Sequence, residues 1–248
     1  MTITHAPHPR PVPAASKQRP LRGRLIGVGV RDYLHDQAGI EWSAADAVAG
    51  LDVLHIVHAY IPLQLDSSVW EPVVRARDVR YLTARRVVAQ AMQRARPART
   101  ALAVDGSAIA GLPEDVLLEL SNVVDLIVMG DDAGAPEGIR KISWRVQDRA
   151  HCPVVCVPAG ARRIPDRPVT VIADERGPSA AAMAFGSEAA LRHGVGLRVA
   201  RIEHDLDWLP RERQVSSLLV ASTSAAALLR SCPADPTAAV PVAVVPER

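Results

Sequence analysis

The chain has 248 residues, 48% of them hydrophobic and 3% aromatic, with a formal net charge of +2. At about 100–200 residues per domain it is long for one domain and short for two full ones. The near-neutral balance excludes a strongly electrostatic partner as the default. With so few aromatics the core falls to Val, Leu, Ile and Ala, which suits a parallel sheet covered by helices.

Residues 1–20 hold five prolines and no apolar stretch of the signal-peptide kind, and read as a disordered tail. No run of 18 apolar residues is present, so no membrane span is expected. Leu25–Val30 is a first strand, and Ile40–Gly50 a helix stopped by its glycine. Asp52–Tyr60 is a second strand. Its His55 and His58 are three apart and so lie on opposite faces, which argues against a shared metal. Asp66-Ser67 caps the lead into a long Arg-rich helix, 75–96, that ends before Pro97. Residues 71–100 hold eight Arg and two acidic residues. A nucleic-acid patch is the sharp reading. Tyr81, Ala84, Val88 and Ala91 share an apolar stripe, which favours a solvated helix face instead.

Thr100–Val104 is a third strand, and Pro113–Val123 a third helix with Pro in its first turn. Leu126–Met129 is a continuous apolar run, as in a central strand buried on both faces. Gly130 and a loop follow it. A strand ending in Gly, then a loop and a helix, is how α/β folds build a phosphate cradle. This loop carries Asp131, Asp132 and Glu137, which oppose an anion. Ile139, Ile142, Val146 and Ala150 then fall on one helix face, and Val154–Val157 is a strand bracketed by Pro153 and Pro158. Cys152, Cys156 and Cys232 form neither a disulfide framework nor a zinc spacing. They read as buried thiols in a reducing cytoplasm. His151, just before the last strand, reads as a satisfied polar group rather than a catalyst.

The pattern then restarts. Val169–Asp174 is a strand, Ser179–His193 a helix closed by Gly194, and Gly196–Ile202 a strand. Ser217–Ala221 is another strand and Ser222–Leu229 a short helix. Thr223 and Ser224 at its start could face an anion, but capping is the plainer reading. Pro241-Val-Ala-Val-Val-Pro246 repeats Pro153-Val-Val-Cys-Val-Pro158. Val30 to Pro153 spans 123 residues (153 − 30), whereas the corresponding Ala173 to Pro241 spans 68 (241 − 173). The second copy therefore lacks a helix, a strand and a helix. The expected fold is α/β: a doubly wound parallel sheet followed by a second, shorter copy. The expected division is a tail at 1–20, a domain at 21–159, a linker at 160–167 and a truncated domain at 168–248.

Three pieces carry a family resemblance: Asp125-Leu-Ile-Val-Met-Gly130, Ile142-Ser-Trp-Arg-Val146 and Ala150-His-Cys-Pro-Val-Val-Cys-Val-Pro158. Val57-His58-Ala59, Val171-Ile-Ala-Asp174 and Ala189–Gly194 add to them. Together they resemble the universal stress protein family, in tandem, which implies a five-strand Rossmann-like sheet (adenine-nucleotide alpha hydrolase-like) in the first half. The resemblance implies pairing of last strands and, in many members, ATP binding. The ATP site implied needs an Asp at the end of the first strand and a loop of the form Gly-x-x-Gly-x9-Gly-Ser/Thr after the fourth.

Here Arg31 stands at that Asp position in the first half, with Asp32 one step on. A one-residue shift at a strand end turns the side chain to the other face. Gly130 begins the loop, but Gly134 comes one residue late. Arg140-Lys141 replaces Gly-Ser, the loop is short, and Ser143 alone matches cleanly. The second half keeps Asp174 and has no glycine loop. Gly130, Gly134, Ser143 and Asp174 are thus vestigial cofactor-binding candidates; no catalytic or metal residue is expected, and no cofactor.

The leading expectation is a cytoplasmic, non-enzymatic stress-response or regulatory module with degenerate ATP motifs. It would act through protein contacts, with a protein partner or self-association through 153–158 and 241–246. The alternatives are an ATP-binding, slowly hydrolysing sensor using Gly130, Gly134 and Ser143, and a nucleic-acid-associated protein using helix 75–96.

Overall fold

A computed structural model of the chain describes residues 23–32, 34–62, 72–96, 102–131, 142–161, 166–201, 214, 216–230 and 240–247. The first half contains β1 (Leu25–Gly29), α1 (Gln37–Gly50), β2 (Val53–Tyr60), α2 (Pro72–Ala95) and β3 (Ala103–Ala110). It continues with α3 (Pro113–Leu120), β4 (Leu126–Gly130), α4 (Ile142–Arg149) and β5 (Val154–Val157). The second half contains β6 (Val169–Ala173), α5 (Ala180–His193), β7 (Leu197–Arg201), β8 (Leu218–Ser222), α6 (Thr223–Arg230) and β9 (Val242–Val245).

The nine strands form one sheet in the order β3-β2-β1-β4-β5-β9-β8-β6-β7. Neighbours are parallel except β5 and β9, which pair antiparallel with Val155 opposite Ala243. The repeat of 153–158 by 241–246 thus becomes the join between the halves, inside one chain. Read outward from that join, the first half runs β5-β4-β1-β2-β3 and the second β9-β8-β6-β7. The position of β3 has no counterpart among the described residues, as the 55-residue shortfall (123 − 68) implies.

β4, β5, β6 and β8 are buried at every position but Gly130, which explains their apolar runs, interrupted only by Thr170 and Ser222. On one face α1, α2 and α5 cover Ile26, Val28, Leu54, Ile56, Val155, Val171 and Val220 in a core continuous across both halves. On the other face α3 and α4 cover Val57, Ile127, Met129 and Val154, and α6 covers Ile172, Leu219 and Val244.

Several boundaries differ from the sequence reading. The third strand is Ala103–Ala110, not Thr100–Val104; residues 97–101 lie outside the described residues. It pairs with β2 alone and none of its residues is buried, so no apolar run marks it. The left-handed stop of α1 falls on Leu51 (φ 57°), not on Gly50. α3 ends at Leu120 and a turn carries the chain to Val123. Asp66-Ser67, Ile139 and Cys232 lie outside the described residues. Along α2, Ala84, Val88 and Ala91 are buried, but Tyr81 is 42% exposed and stacks on solvent-side Arg85. Arg94 pairs with Glu41, and Arg80 donates to Ile61 O.

Candidate functional site

In a doubly wound sheet the crevice opens where strand order reverses, at the carboxyl ends of the two strands flanking the switch. Here that point lies between β1 and β4. A cleft of about 180 Å³ sits there, walled by Val30, Val57, Val116, Leu117, Met129 and Ile142, with Arg31, Asp36, His58 and Gly130 at its polar end.

The decisive residue is Asp36, at the N-cap of α1. Its Oδ2 accepts from the backbone N–H of Arg31 at 2.6 Å and of Asp32 at 3.1 Å. Its other oxygen lies over Gly130, where any β-carbon would collide with it. The first turn of α1 rests on the same place: a β-carbon on Gly39 would sit 3.7 Å from Gly130 N. Asp36 is only 5% exposed. Burial pushes its carboxyl above the ordinary value; the amides of Arg31 and Asp32 offset this only in part. Sequence reasoning missed Asp36, because nothing local marks a residue 94 positions from the glycine it covers. An acidic N-cap to the first helix was the one available signal.

The first-half candidates fare unequally. Gly130 lines the cleft. Gly134 and the Arg140-Lys141 pair lie outside the described residues. Ser143 is fully buried in the first turn of α4, and it is Ile142 of that turn that lines the cleft. Asp32 turns back on its own loop: its carboxylate accepts from the amides of Leu34 and His35 and pairs with His35 Nδ1 at 2.6 Å. It is not aimed at the cleft. His58 Nδ1 lies 2.9 Å from Val30 O, while His55 faces the other way toward Asp105 at 3.7 Å. No cluster of metal-ligating side chains occurs among the described residues. His151 is exposed rather than buried, and its amide is taken up by Ser121 Oγ at 3.0 Å.

In the second half Asp174 stands at the end of β6, with its Oδ1 accepting from Arg176 N at 2.8 Å. Ser222 caps α6, taking the amide of Ala225 at 3.2 Å, so the cap is Ser222 and neither Thr223 nor Ser224. Ser224 Oγ lies 2.8 Å from Glu247 Oε1 and 3.3 Å from Asp174 Oδ2. Hydrogen bonds from Ser222 and Ser224 hold the Glu247 carboxyl below its usual range. Two carboxylates therefore flank the start of α6, where an anion would otherwise be favoured.

Two doubly wound α/β units, joined through their last strands, form a tandem Rossmann-like fold. No family model matches the chain, and no curated protein does. Solved structures do. A universal stress protein from Archaeoglobus fulgidus DSM 4304 is similar over 91% of this chain and 97% of its own, with a TM-score of 0.65 and 13% identity. A functionally unknown protein from Pseudomonas aeruginosa PAO1 is similar over 90% of this chain and 92% of its own, with a TM-score of 0.51 and 13% identity. The chain has the universal stress protein fold in tandem form, with one strand fewer in the second unit among the described residues.

The described residues do not fit the ATP site that this resemblance implies. The Asp at the end of the first strand is replaced by exposed Arg31. Ser143 is sealed in the core. The backbone amides beside Gly130 already hold a carboxylate of the chain itself.

Proposed function

We propose that this protein is a non-enzymatic regulatory module that has lost ATP binding and acts in the cytoplasm through protein contacts. The observation that carries the reading is Asp36. A phosphate group entering beside Gly130 would have to displace a buried carboxylate or lie against it. Two like charges 4 Å apart repel by about 1 kcal/mol in water and by more in a crevice. The second half supports the same reading, with Asp174 and Glu247 at the start of α6. Contact with a protein partner is supported by the sheet edges. β5 and β9 satisfy each other, whereas β3 and β7 each have one strand neighbour among the described residues. Val199 on β7 is 51% exposed. An open strand edge is a template for another chain.

The apolar cleft of about 180 Å³ favours the second reading, an ATP-binding sensor that uses Gly130. Purifying the full chain without added nucleotide and releasing any bound ligand with acid separates the two. The module reading expects no adenine nucleotide in the released fraction; a near-stoichiometric amount overturns it.

A further inference from the structure

α1 has two anchored ends. At its N-terminus Asp36 and Gly39 sit on Gly130. At its C-terminus it meets the last turn of α5, from the other half of the chain. Arg192 NH1 lies 2.9 Å from Asp52 Oδ2, and His193 Nε2 lies 2.8 Å from Asp46 Oδ1. Arg24, ahead of β1, completes the cluster. Its Nε reaches Asp52 Oδ2 at 3.0 Å, its backbone N–H reaches Asp52 Oδ1 at 2.7 Å, and its guanidinium also pairs with Asp46. Glu188 pairs with Arg192 from the solvent side. Gly50 is bare because the Arg192 guanidinium passes over it.

Asp46 and Asp52 are each only 3% exposed. Two helix C-termini, both partially negative, meet here, and cations supplied by α5 offset that charge. If α5 withdrew, two buried carboxylates would be left to Arg24 alone, which is costly. The contacts of α5 therefore hold the C-terminal end of α1 in place.

We propose that the second half is a clamp on α1 that keeps Asp36 seated in the first-half crevice. The proposal rests on the reading of that crevice as closed by Asp36. A 14-residue helix is a rod about 21 Å long, at 1.5 Å per residue. One end carries the clamp and the other the carboxylate. A partner that draws α5 off α1 would unseat Asp36 and free the amides of Arg31 and Asp32 for an external anion. The truncated copy would thereby act as a regulator of the complete one.

Residue-level amide hydrogen exchange on the full chain tests this. The variants are Arg192→Met with His193→Leu, and the milder Arg192→Lys, which keeps the charge if the double variant fails to fold. The amide of Asp52, bonded to Ala47 O, reports the clamped end; those of Arg31 and Asp32 report the crevice. The clamp expects exchange at all three to rise about tenfold or more, with Ile127 in the central strand unchanged. Faster exchange at Asp52 with wild-type exchange at Arg31 and Asp32 overturns it. So does no change at either end, because α5 would then not be what holds α1. Mg-ATP binding to the wild-type chain would instead defeat the closed-crevice reading, whatever the exchange shows.

Discussion

The carboxylate of Asp36 lies directly over Gly130, so that the α-carbon of one residue and the side chain of the other, 94 positions apart, occupy the place where a crevice of this fold receives its ligand. Their fit explains the missing side chain at 130 without recourse to a bound phosphate.

Gly130→Ala is expected to destabilise the protein by about 1–3 kcal/mol, because the new methyl group and Asp36 cannot both stay. Gly39→Ala, whose β-carbon would make ordinary contacts on the same floor, is expected to be tolerated or mildly stabilising. Urea unfolding of the two variants gives the comparison. Equal costs would contradict the steric account.

Asp36 and Asp46 predict opposite effects of pH. Burial raises the Asp36 carboxyl above its ordinary value of 3.8, so its ionised form costs stability once pH climbs above that range. Asp36→Asn is therefore expected to gain stability at pH 7, with the gain shrinking as pH falls toward 3.8. Burial also pushes Asp46 up, but the His193 hydrogen bond and the charges of Arg24, His193 and Arg192 outweigh it and leave the carboxyl low. Asp46→Asn is expected to lose about 1–3 kcal/mol at pH 7, and the deficit should fade only as pH drops below 3.8. Thermal unfolding of both variants from pH 7 to pH 3 checks the two signs.

Leu51 ends α1 in the left-handed region while 77% exposed, so it carries backbone strain with little packing in return. Leu51→Gly should raise stability by about 0.5–1 kcal/mol in chemical denaturation. A loss of stability would mean that the side chain packs in a way its exposure conceals.

Much of the fold was legible because its central strands are buried on both faces. Leu126–Met129 and Val154–Val157 announce themselves as unbroken apolar runs, and Val169–Ala173 as one interrupted only by Thr170. The repeated Pro-bracketed strand marks the two segments that pair, but that they pair within one chain rather than across a dimer is visible only in the structure. β3 was misplaced because an edge strand with no buried residue has no such run. The site was legible only in outline. Gly130 and Asp174 stand at strand ends as spacing implied, but what closes the crevice comes from helix packing. Asp36 reaches Gly130, and Arg192 reaches Asp52 across 140 residues, through contacts with no local sequence period. Ser143 matched a motif and is nevertheless buried, because its neighbour Ile142 takes the cleft-lining position.

Isothermal titration of the purified full chain with Mg-ATP tests the central claim most directly. With Asp36 on the crevice amides and Ser143 sealed away, the account predicts no saturable heat at submillimolar ligand. Saturable binding at submillimolar Mg-ATP would contradict it.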